Sequence, residues 1–593
     1  MRQRRAPLQR RDPVSWPANP PAGRPERAAT TARLRIPQGA VARAPGKIPV
    51  KKPPPRIRGF PVRLAPGKLA AMAARLAPLL ALVIVALATA RPPAAHGAAK
   101  SVACEAVPAY TPVRSTRLAG RTHGLDTTAT RLLVYACRGG RWYAAPEGGQ
   151  PAVALAGDGA WSTTIPLPPT TSPLTNLSVL AVPTSFVPGP VDGAEWIPDT
   201  ITEAALASAE AVCLNPERRN LRWAGLDWWV KYATGNPGPN AYSHSAENVF
   251  VDAEGNLHLR ITRTEDPNLT AKGYSWACAE IVTYRTLGYG RYTLRTATSC
   301  DALDPNAIFG FFTWSDGTLD PRNREMDIEW ARWGDPARPT NAQFVVQPSG
   351  ASGNLRRLAL PSAATELEQW FTWQPDPAAA WAIDPRRVAF GATDGATVLE
   401  WTYPADVPAG REPAVPESRD EHVDIDLWLC KGAGAEFARP ARDEPVEVVV
   451  RSFSFTGYDN DADGMPDTWE RAHGLAPHDP ADAPRDDDGD SASNRDEFLA
   501  DTDPADGASV FRITRCTLAG TTPEITFTTR PEKYYDLEST TDLAANWSPV
   551  PGCTDLASTS GTCIARTPVP AAGSRLFYRV AVHPRQVPPL PKP

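Results

Sequence analysis

The stretch RNREMDIEW, residues 322–330, alternates acidic and large apolar side chains. Successive side chains of a β-strand point to opposite faces, so this pattern predicts a strand with one acidic and one apolar face. The acidic residues are Glu325, Asp327 and Glu329, and the apolar residues are Met326, Ile328 and Trp330. Like charges along one face repel, and packing does not require them. An exposed edge strand rarely alternates so strictly, so the stretch indicates a catalytic site.

The spacing of these acids suits glycoside chemistry. Glu325 and Glu329 would have Cα atoms about 13 Å apart at ~3.3 Å per residue. On a concave sheet, inward-leaning side chains bring their carboxyl groups toward the roughly 5.5 Å used by retaining glycosidases. Asp327 between them raises a neighbouring pKa and shares a proton.

The surrounding chain reads as an all-β domain. Strand-like runs recur, among them NVFVDAEGNLHLRIT (248–262), IFGFFTW (308–314), VDIDLWLC (423–430) and VEVVVRSFSF (446–455). About 240 residues of mostly antiparallel strands predict a two-sheet β-jelly-roll sandwich at 213–457.

This region resembles glycoside hydrolase family 16, the laminarinase and lichenase group, whose motif E-[ILV]-D-x-E stands here as EMDIE. The run WACAEIVTYRTLGYGRYTLR (276–295) also resembles the family, and FGFFTW, QFVVQ, FTWQPD and DIDLWL follow in the family's order. The resemblance implies that Glu325 is the nucleophile, Glu329 the general acid/base and Asp327 the assisting carboxylate. It implies less strongly that Glu280, Trp314 and Gln343 line the cleft.

Two departures from the family pattern leave the substrate open. The strand after FTWQPD reads VAFGATDG, and QFVV lacks the Asn that often follows QF. We expect a secreted, endo-acting, retaining hydrolase of a β-glucan or galactan, needing no cofactor for catalysis. A non-catalytic carbohydrate-binding protein and a transglycosylase remain alternatives. The expected partner is a polysaccharide, and the expected oligomeric state is a monomer.

Residues 459–470 and 486–497 each follow the spacing of an EF-hand calcium loop. The pair resembles dockerin and thrombospondin type 3 repeats, and predicts structural Ca²⁺. In the second copy Ser491 replaces the usual glycine. The predicted ligands are Asp459, Asp461, Asp463, Met465 (by its carbonyl), Asp467, Glu470, Asp486, Asp488, Asp490, Asn494 and Glu497.

Charge is unevenly distributed along the chain. Residues 1–71 carry a net charge of +15, whereas residues 100–593 carry −21. An acidic body repels phosphate backbones, so nucleic-acid binding is not expected. Residues 72–90, MAARLAPLLALVIVALATA, have the pattern of a secretory signal and are too short for stable membrane insertion. Because such a signal should stand at the start of a chain, we interpret the residues before it as a mis-assigned start.

An exported protein can form disulfides, and nine cysteines follow the signal. Cys278 and Cys300 are equidistant from Tyr289, so a hairpin could place them opposite each other, and Cys553 and Cys563 bracket a short loop. The predicted organisation is a basic leader (1–71), a signal peptide (72–98), a small β-domain (99–212), the jelly roll (213–457), calcium-binding repeats (458–505), an immunoglobulin-like β-domain (506–584) and a Pro-rich tail (585–593).

Overall fold

The computed structural model describes sixteen stretches of the chain. They are residues 98–104, 115–145, 152–166, 174–215, 217–317, 322–361, 366–375, 386–405, 407–408, 415–430, 438–519, 522–531, 533–542, 546–558, 561–568 and 576–583. The predicted leader, almost all of the predicted signal peptide and the predicted tail lie outside them.

The first β-domain consists of two antiparallel sheets with a hydrophobic core. Its elements are β1 (Ser101–Cys104), β2 (Ser115–His123), β3 (Thr130–Arg138), β4 (Arg141–Ala145), β5 (Ala152–Ala154), β6 (Ala160–Pro166), β7 (Leu174–Pro183), β8 (Asp192–Ala194), α1 (Asp199–Thr202) and β9 (Ala207–Val212). One sheet has the order β1-β2-β6, and the other has the order β8-β4-β3-β7-β9 with β5 beside β3. Leu118, Leu132 and Val179 lie in the core between them.

The strands of the jelly roll begin at Arg219 and end at Gly457. They are β10 (Arg219–Trp223), β11 (Leu226–Val230), β12 (Ala233–Gly235), β13 (Asn240–Tyr242), β14 (Val249–Val251), β15 (Leu257–Arg263), β16 (Trp276–Ala277), β17 (Ala279–Thr283), β18 (Gly290–Thr296), β19 (Ala307–Trp314), β20 (Met326–Ala331), β21 (Ala342–Val346), β22 (Leu355–Leu358), β23 (Leu367–Pro375), β24 (Arg386–Thr393), β25 (Val398–Tyr403), β26 (His422–Leu429) and β27 (Val446–Gly457). A short helix α2 (Pro267–Thr270) and a 3₁₀ turn (Cys300–Ala302) interrupt them.

Two large antiparallel sheets face each other across one core. The first has the order β10-β11-β17-β26-β19-β20-β21-β22, and the second has the order β14-β15-β27-β18-β23-β24-β25 with β16 beside β15. Trp228, Phe309, Trp330, Phe371 and Trp373 are fully buried between the sheets. Large aromatic and branched side chains on the facing sides of two sheets produce this architecture. The all-β sandwich prediction is confirmed.

The hairpin expected around Tyr289 is wrong. The strand after Cys278, β17, pairs with β11 and β26 in the first sheet. The strand before Cys300, β18, pairs with β23 and β27 in the second sheet. The turn therefore crosses from one sheet to the other, and the two cysteines do not lie opposite each other in a ladder. Cys278, Cys300, Cys553 and Cys563 are all described, and none of these four forms a disulfide in this structure.

After the jelly roll, the acidic segment contains two short helices, α3 (Asp467–Ala472) and α4 (Asn494–Ala500). The last domain contains β28 (Ile513–Ala519), β29 (Thr522–Thr528), β30 (Tyr534–Thr540), β31 (Ser548–Pro549), β32 (Thr562–Arg566) and β33 (Phe577–His583). They pair as β28-β29-β32 and β31-β30-β33. Among the described residues, no helix is long and apolar enough to cross a bilayer.

Candidate active site

Strand β20 separates its acidic and apolar side chains as the alternation predicts. Met326, Ile328 and Trp330 are fully buried in the sandwich core. Trp330 also donates its indole N–H to Gln369 Oε1 at 2.9 Å, which fixes the register of the strand against the second sheet. On the opposite face Asp327 is buried, and Glu325 and Glu329 are half-buried. The two glutamates are therefore accessible from the same side of the sheet.

Two residues with left-handed backbone lead into this strand. Asn323 has φ 56° and Arg324 has φ 50°, a region in which non-glycine residues are uncommon and arginine has no local compensation. The Arg324 side chain is buried, and its Nε donates to the Glu417 carbonyl at 3.0 Å. Its Nη1 lies 3.0 Å from Asp420 Oδ1. These contacts hold the turn that orients Glu325.

Cross-strand pairing builds a row of side chains on this face. Glu329 pairs with Gln343 on one side and with Gly310 on the other. Gly310 also pairs with Asp426, which in turn pairs with Glu280. The complete row across six strands is Glu280, Asp426, Gly310, Glu329, Gln343 and Arg357. A parallel row one step along contains Asp424, Phe312 and Asp327.

Neighbouring amides hold two of the three predicted catalytic carboxyl groups. Gln343 Nε2 donates to Glu329 Oε2 at 2.5 Å, and Gln347 Nε2 donates to Asp327 Oδ2 at 3.1 Å. Asp327 and Glu325 also share a hydrogen bond. The structure therefore brings Glu325, Asp327, Glu329 and Gln343 together on one face of the sheet, in two hydrogen-bonded groups.

Burial raises the pKa of all three carboxyl groups, because the charged form loses its water. For Asp327 the negative charges of Glu325 and Glu329 add to this effect and hold its pKa well above the usual range. The hydrogen bond from Asp327 favours the ionised form of Glu325. The hydrogen bond from Gln343 partly offsets the rise for Glu329. This arrangement keeps a proton on Asp327 and lets it donate to Glu325.

The structure places Glu280 in the same row and Trp314 at the end of β19. Glu280 Oε2 lies 2.6 Å from Lys231 Nζ, which also lies 4.4 Å from the centre of the Tyr242 ring. Trp314 is half-buried, and its indole donates to Asp316 Oδ1 at 3.1 Å. Glu280 is thus an ion-paired carboxylate within the row, whereas Trp314 lies outside the row, at the last residue of β19.

Sequence reasoning missed Asp424, Asp426 and Lys231. Both aspartates are buried, and the Oδ1 atom of each has no hydrogen-bond partner among the described residues. Burial, followed by the charge of Glu280, raises the pKa of each well above its usual range. The signal was available, because VDIDLWL alternates acidic and apolar residues in the same way as EMDIEW. No comparable pattern marks Lys231.

The predicted calcium ligands gather in the acidic segment. Carboxylate oxygens of Asp459, Asp461 and Asp463 lie within 4.8 Å of one another, and Asp486, Asp488 and Asp490 form a second such group. Glu470, Asn494 and Glu497 are fully buried beside them. Ser491 has φ 80°, close to the φ 97° of Gly464 at the equivalent position of the first copy. The two copies therefore share one turn geometry despite the serine.

At three residues of the acidic segment the structure shows something that the spacing pattern does not predict. Asp467 accepts from the backbone N–H of Asn460 at 2.8 Å and lies 3.6 Å from Arg471, outside the carboxylate group. The Met465 side chain is fully buried in a small core. Asp482, which sequence reasoning passed over, joins Asp463 and Glu470 in a third group of oxygens within 4.8 Å.

No protein-family model and no curated protein matches the chain. Among solved structures, a β-glucanase of Bacillus licheniformis is 18% identical with a TM-score of 0.29, covering 40% of this chain and 95% of that one. A lichenase from a mouse hindgut metagenome is 18% identical with a TM-score of 0.28, covering 38% and 92%. A pseudo β-1,3-glucanase of Mycobacterium tuberculosis is 19% identical with a TM-score of 0.26, covering 39% and 91%. Values this low assign no activity to the chain, so its function has to be inferred from the site.

Proposed function

We propose that the jelly roll is a retaining endo-glycoside hydrolase of a β-linked polysaccharide of the glucan or galactan class. The observation that carries this proposal is the carboxylate cluster on the open face of β20, where two half-buried glutamates flank a buried, hydrogen-bonded Asp327. The polar row spans six strands, or about 24 Å at ~4.8 Å between neighbours, which suits a polymer better than a single sugar.

In the first step Glu325 acts as the nucleophile. A carboxylate oxygen of Glu325 forms a bond to the anomeric carbon while the glycosidic C–O bond breaks. Glu329 gives its proton to the departing oxygen, so the leaving sugar departs as a neutral hydroxyl. The product of this step is a glycosyl ester on Glu325 with inverted configuration.

In the second step Glu329 acts as the base. It takes a proton from water while the water oxygen attacks the anomeric carbon, the ester bond breaks, and Glu325 returns as a carboxylate. Two inversions give net retention. Asp327 does not react; its hydrogen bond stabilises the Glu325 carboxylate before attack and after release.

The acidic and amide side chains along the row would bind sugar hydroxyl groups. Asp424 and Asp426 hold their protons because of burial, so each can donate as well as accept a hydrogen bond. We further propose that the chain acts outside the cytoplasm, as a monomer and without a catalytic cofactor. A sugar hydroxyl that replaces water in the second step would make the same site a transglycosylase.

The test is a panel of β-glucans and galactans assayed for new reducing ends, with NMR of the first-formed product. We expect cleavage of at least one polymer with retained configuration, and an inverted product would contradict the mechanism. Glu325→Ala should abolish turnover, and azide should restore it as an α-glycosyl azide from a β-linked donor. Glu329→Ala should impair substrates with poor leaving groups most. Binding without turnover across the panel would favour the carbohydrate-binding alternative.

A further inference from the structure

The segment between the jelly roll and the last domain contains buried carboxylate oxygens that have no hydrogen-bond partner among the described residues. Both side-chain oxygens of Glu470 are buried and have no hydrogen-bond partner among the described residues. The same holds for one oxygen each of Asp482, Asn494 and Glu497. All four residues are fully buried. Unpaired buried charges of one sign are unfavourable, so this arrangement points to a bound cation.

The donor set selects the type of cation. All the oxygens come from carboxylates and one amide, with neither thiolate nor imidazole among the grouped atoms. Oxygen-rich sets with several carboxylates bind hard cations, and Ca²⁺ accepts the six to eight irregularly placed oxygens that Mg²⁺ does not. Calcium is therefore the expected occupant.

We propose that Asp482, from the loop between the two repeats, is a ligand of the first of the two Ca²⁺ ions that the repeats predict. Asp482 replaces Asp467, whose oxygens face Asn460 and Arg471. The first site thus comprises Asp459, Asp461, Asp463, Glu470 and Asp482. The second comprises Asp486, Asp488, Asp490, Asn494 and Glu497.

The two sites are joined through one side chain. Asn494 Nδ2 donates to the backbone carbonyl of Asp482 at 2.9 Å and lies 3.4 Å from Asp487 Oδ2. Occupation of one site therefore orders residues that belong to the other, and the sites bind Ca²⁺ cooperatively.

The same segment holds the start of the first β-domain. The Ala99 N–H donates to Asp487 Oδ2 at 2.7 Å, Lys100 N–H donates to the His473 carbonyl at 2.7 Å, and Ser101 Oγ donates to Asp503 Oδ2 at 2.6 Å. Ala99 also packs in a small core with Met465. Bound ions would therefore stabilise the loops of the acidic segment and, through these contacts, its attachment to β1.

Calorimetric titration of the chelator-treated full chain with CaCl₂ tests the sites. The wild type should show two bound ions per chain, and Asp482→Asn should weaken one of them at least tenfold. Asp501→Asn is the matched control, because Asp501 is an exposed aspartate of the same segment with left-handed backbone that asparagine tolerates. Titration with MgCl₂ should give binding at least tenfold weaker.

Each other outcome contradicts part of the proposal. If no Ca²⁺ binds, the proposal of both sites is wrong. If Mg²⁺ binds as tightly as Ca²⁺, the assignment of calcium is wrong. Unchanged affinities in Asp482→Asn, or the same loss in Asp501→Asn, remove Asp482 from the ligand set. If Asp482→Asn does not fold, Glu497→Gln provides the second variant and should weaken the other ion.

Hydrogen exchange with mass spectrometry tests the link to β1. Chelation should speed exchange of amides in 98–104 at least tenfold while β20 stays protected. Unchanged exchange at 98–104 would show that the ions stabilise only their own loops. None of these readouts involves hydrolysis, so they are independent of the proposed activity.

Discussion

Glu325 follows two consecutive residues with left-handed backbone, and the second of them, Arg324, is fixed by the Glu417 carbonyl and Asp420. Such backbone costs about 1–3 kcal/mol per residue and persists only where surrounding contacts impose it. The fork of the guanidinium makes these contacts at two nitrogens, which a lysine cannot reproduce. We therefore infer that Arg324 positions Glu325, the proposed nucleophile.

We predict that Arg324→Lys lowers kcat about 10- to 100-fold while KM changes by less than about threefold, because a nucleophile misplaced by about 1 Å loses that much rate. Steady-state kinetics on a polysaccharide that the wild type cleaves measures kcat and KM separately. Arg117→Lys, at an exposed position of β2, is the control and should be unchanged. A large rise in KM with normal kcat would instead make Arg324 a substrate-binding residue.

The proton on Glu329 is controlled by its neighbours. Burial raises its pKa to about 7, and the hydrogen bond from Gln343 and the charge of Arg357 act in the opposite direction. A general acid must be protonated and a nucleophile ionised, and burial raises the pKa of Glu325 to about 8. We therefore expect a bell-shaped profile of kcat/KM, with a rising limb near pH 7 and a falling limb near pH 8.

We predict that Gln343→Met and Arg357→Gln both move this profile to higher pH, because each removes a group that stabilises the Glu329 carboxylate. The rate at the optimum should fall about tenfold in Gln343→Met, since the acid also loses its orienting contact. Arg356→Gln, the adjacent position on β22, is the control and should keep the wild-type profile. A profile shifted to lower pH in both variants would contradict Glu329 as the acid.

At the scale of elements, β19 lies between the strands that carry Glu329 and Asp426. Gly310 of β19 pairs with both of these residues. A Cβ atom there would lie 2.4 Å from Asp426 Oδ1 and 3.4 Å from the Asp426 carboxyl carbon. Because Gly310 has no side chain, the Asp426 carboxylate can occupy its position in the row.

We predict that Gly310→Ala lowers kcat/KM at least tenfold and the free energy of unfolding by about 1–3 kcal/mol, the usual effect of overpacking. Adding Asp426→Ala should recover part of the stability, since the clash is removed, and a double-mutant cycle measures this coupling. Gly157→Ala, whose Cβ would have no atom within 4 Å, is the control. Additive effects of the two substitutions would show that they do not interact.

Strict alternation was the part of the sequence that carried most structural information. EMDIEW predicts both the core face and the acidic face of β20, because a one-residue shift would turn Trp330 to the open face and all three carboxylates to the core. The sheet to which a strand belongs is not encoded in this way, so the chain between Cys278 and Cys300 was expected to form a hairpin and instead crosses between sheets. Asp482 escaped notice for a similar reason, because its partners Asp463 and Glu470 are brought to it by folding rather than by spacing.

At the scale of the whole molecule, the first β-domain contacts the turn that precedes Glu325, the proposed nucleophile. The Trp196 ring lies 5.7 Å from the Arg324 guanidinium carbon and 5.2 Å from that of Arg419. Arg419 also donates to Asp199 Oδ2, at the start of α1, at 3.0 Å. A cation over an aromatic face is stabilised by about 0.5–1 kcal/mol at exposed sites and by more where water is excluded. The domain before the jelly roll therefore supports the same turn that Glu417 and Asp420 hold from within it.

In the proposed enzyme, this contact would let the first domain affect the rate of catalysis. We predict that Trp196→Ala lowers kcat/KM about three- to tenfold, which corresponds to the loss of about 1 kcal/mol from the support of Arg324. Trp547→Ala is the matched control, because Trp547 lies beside Arg579 at 4.8 Å in the last domain and makes the same kind of contact far along the chain. Both variants should fold, as circular dichroism would verify, and both should lose some thermal stability. Only Trp196→Ala should lose activity, and equal kinetics for the two variants would mean that the first domain is attached to the jelly roll without shaping its active site.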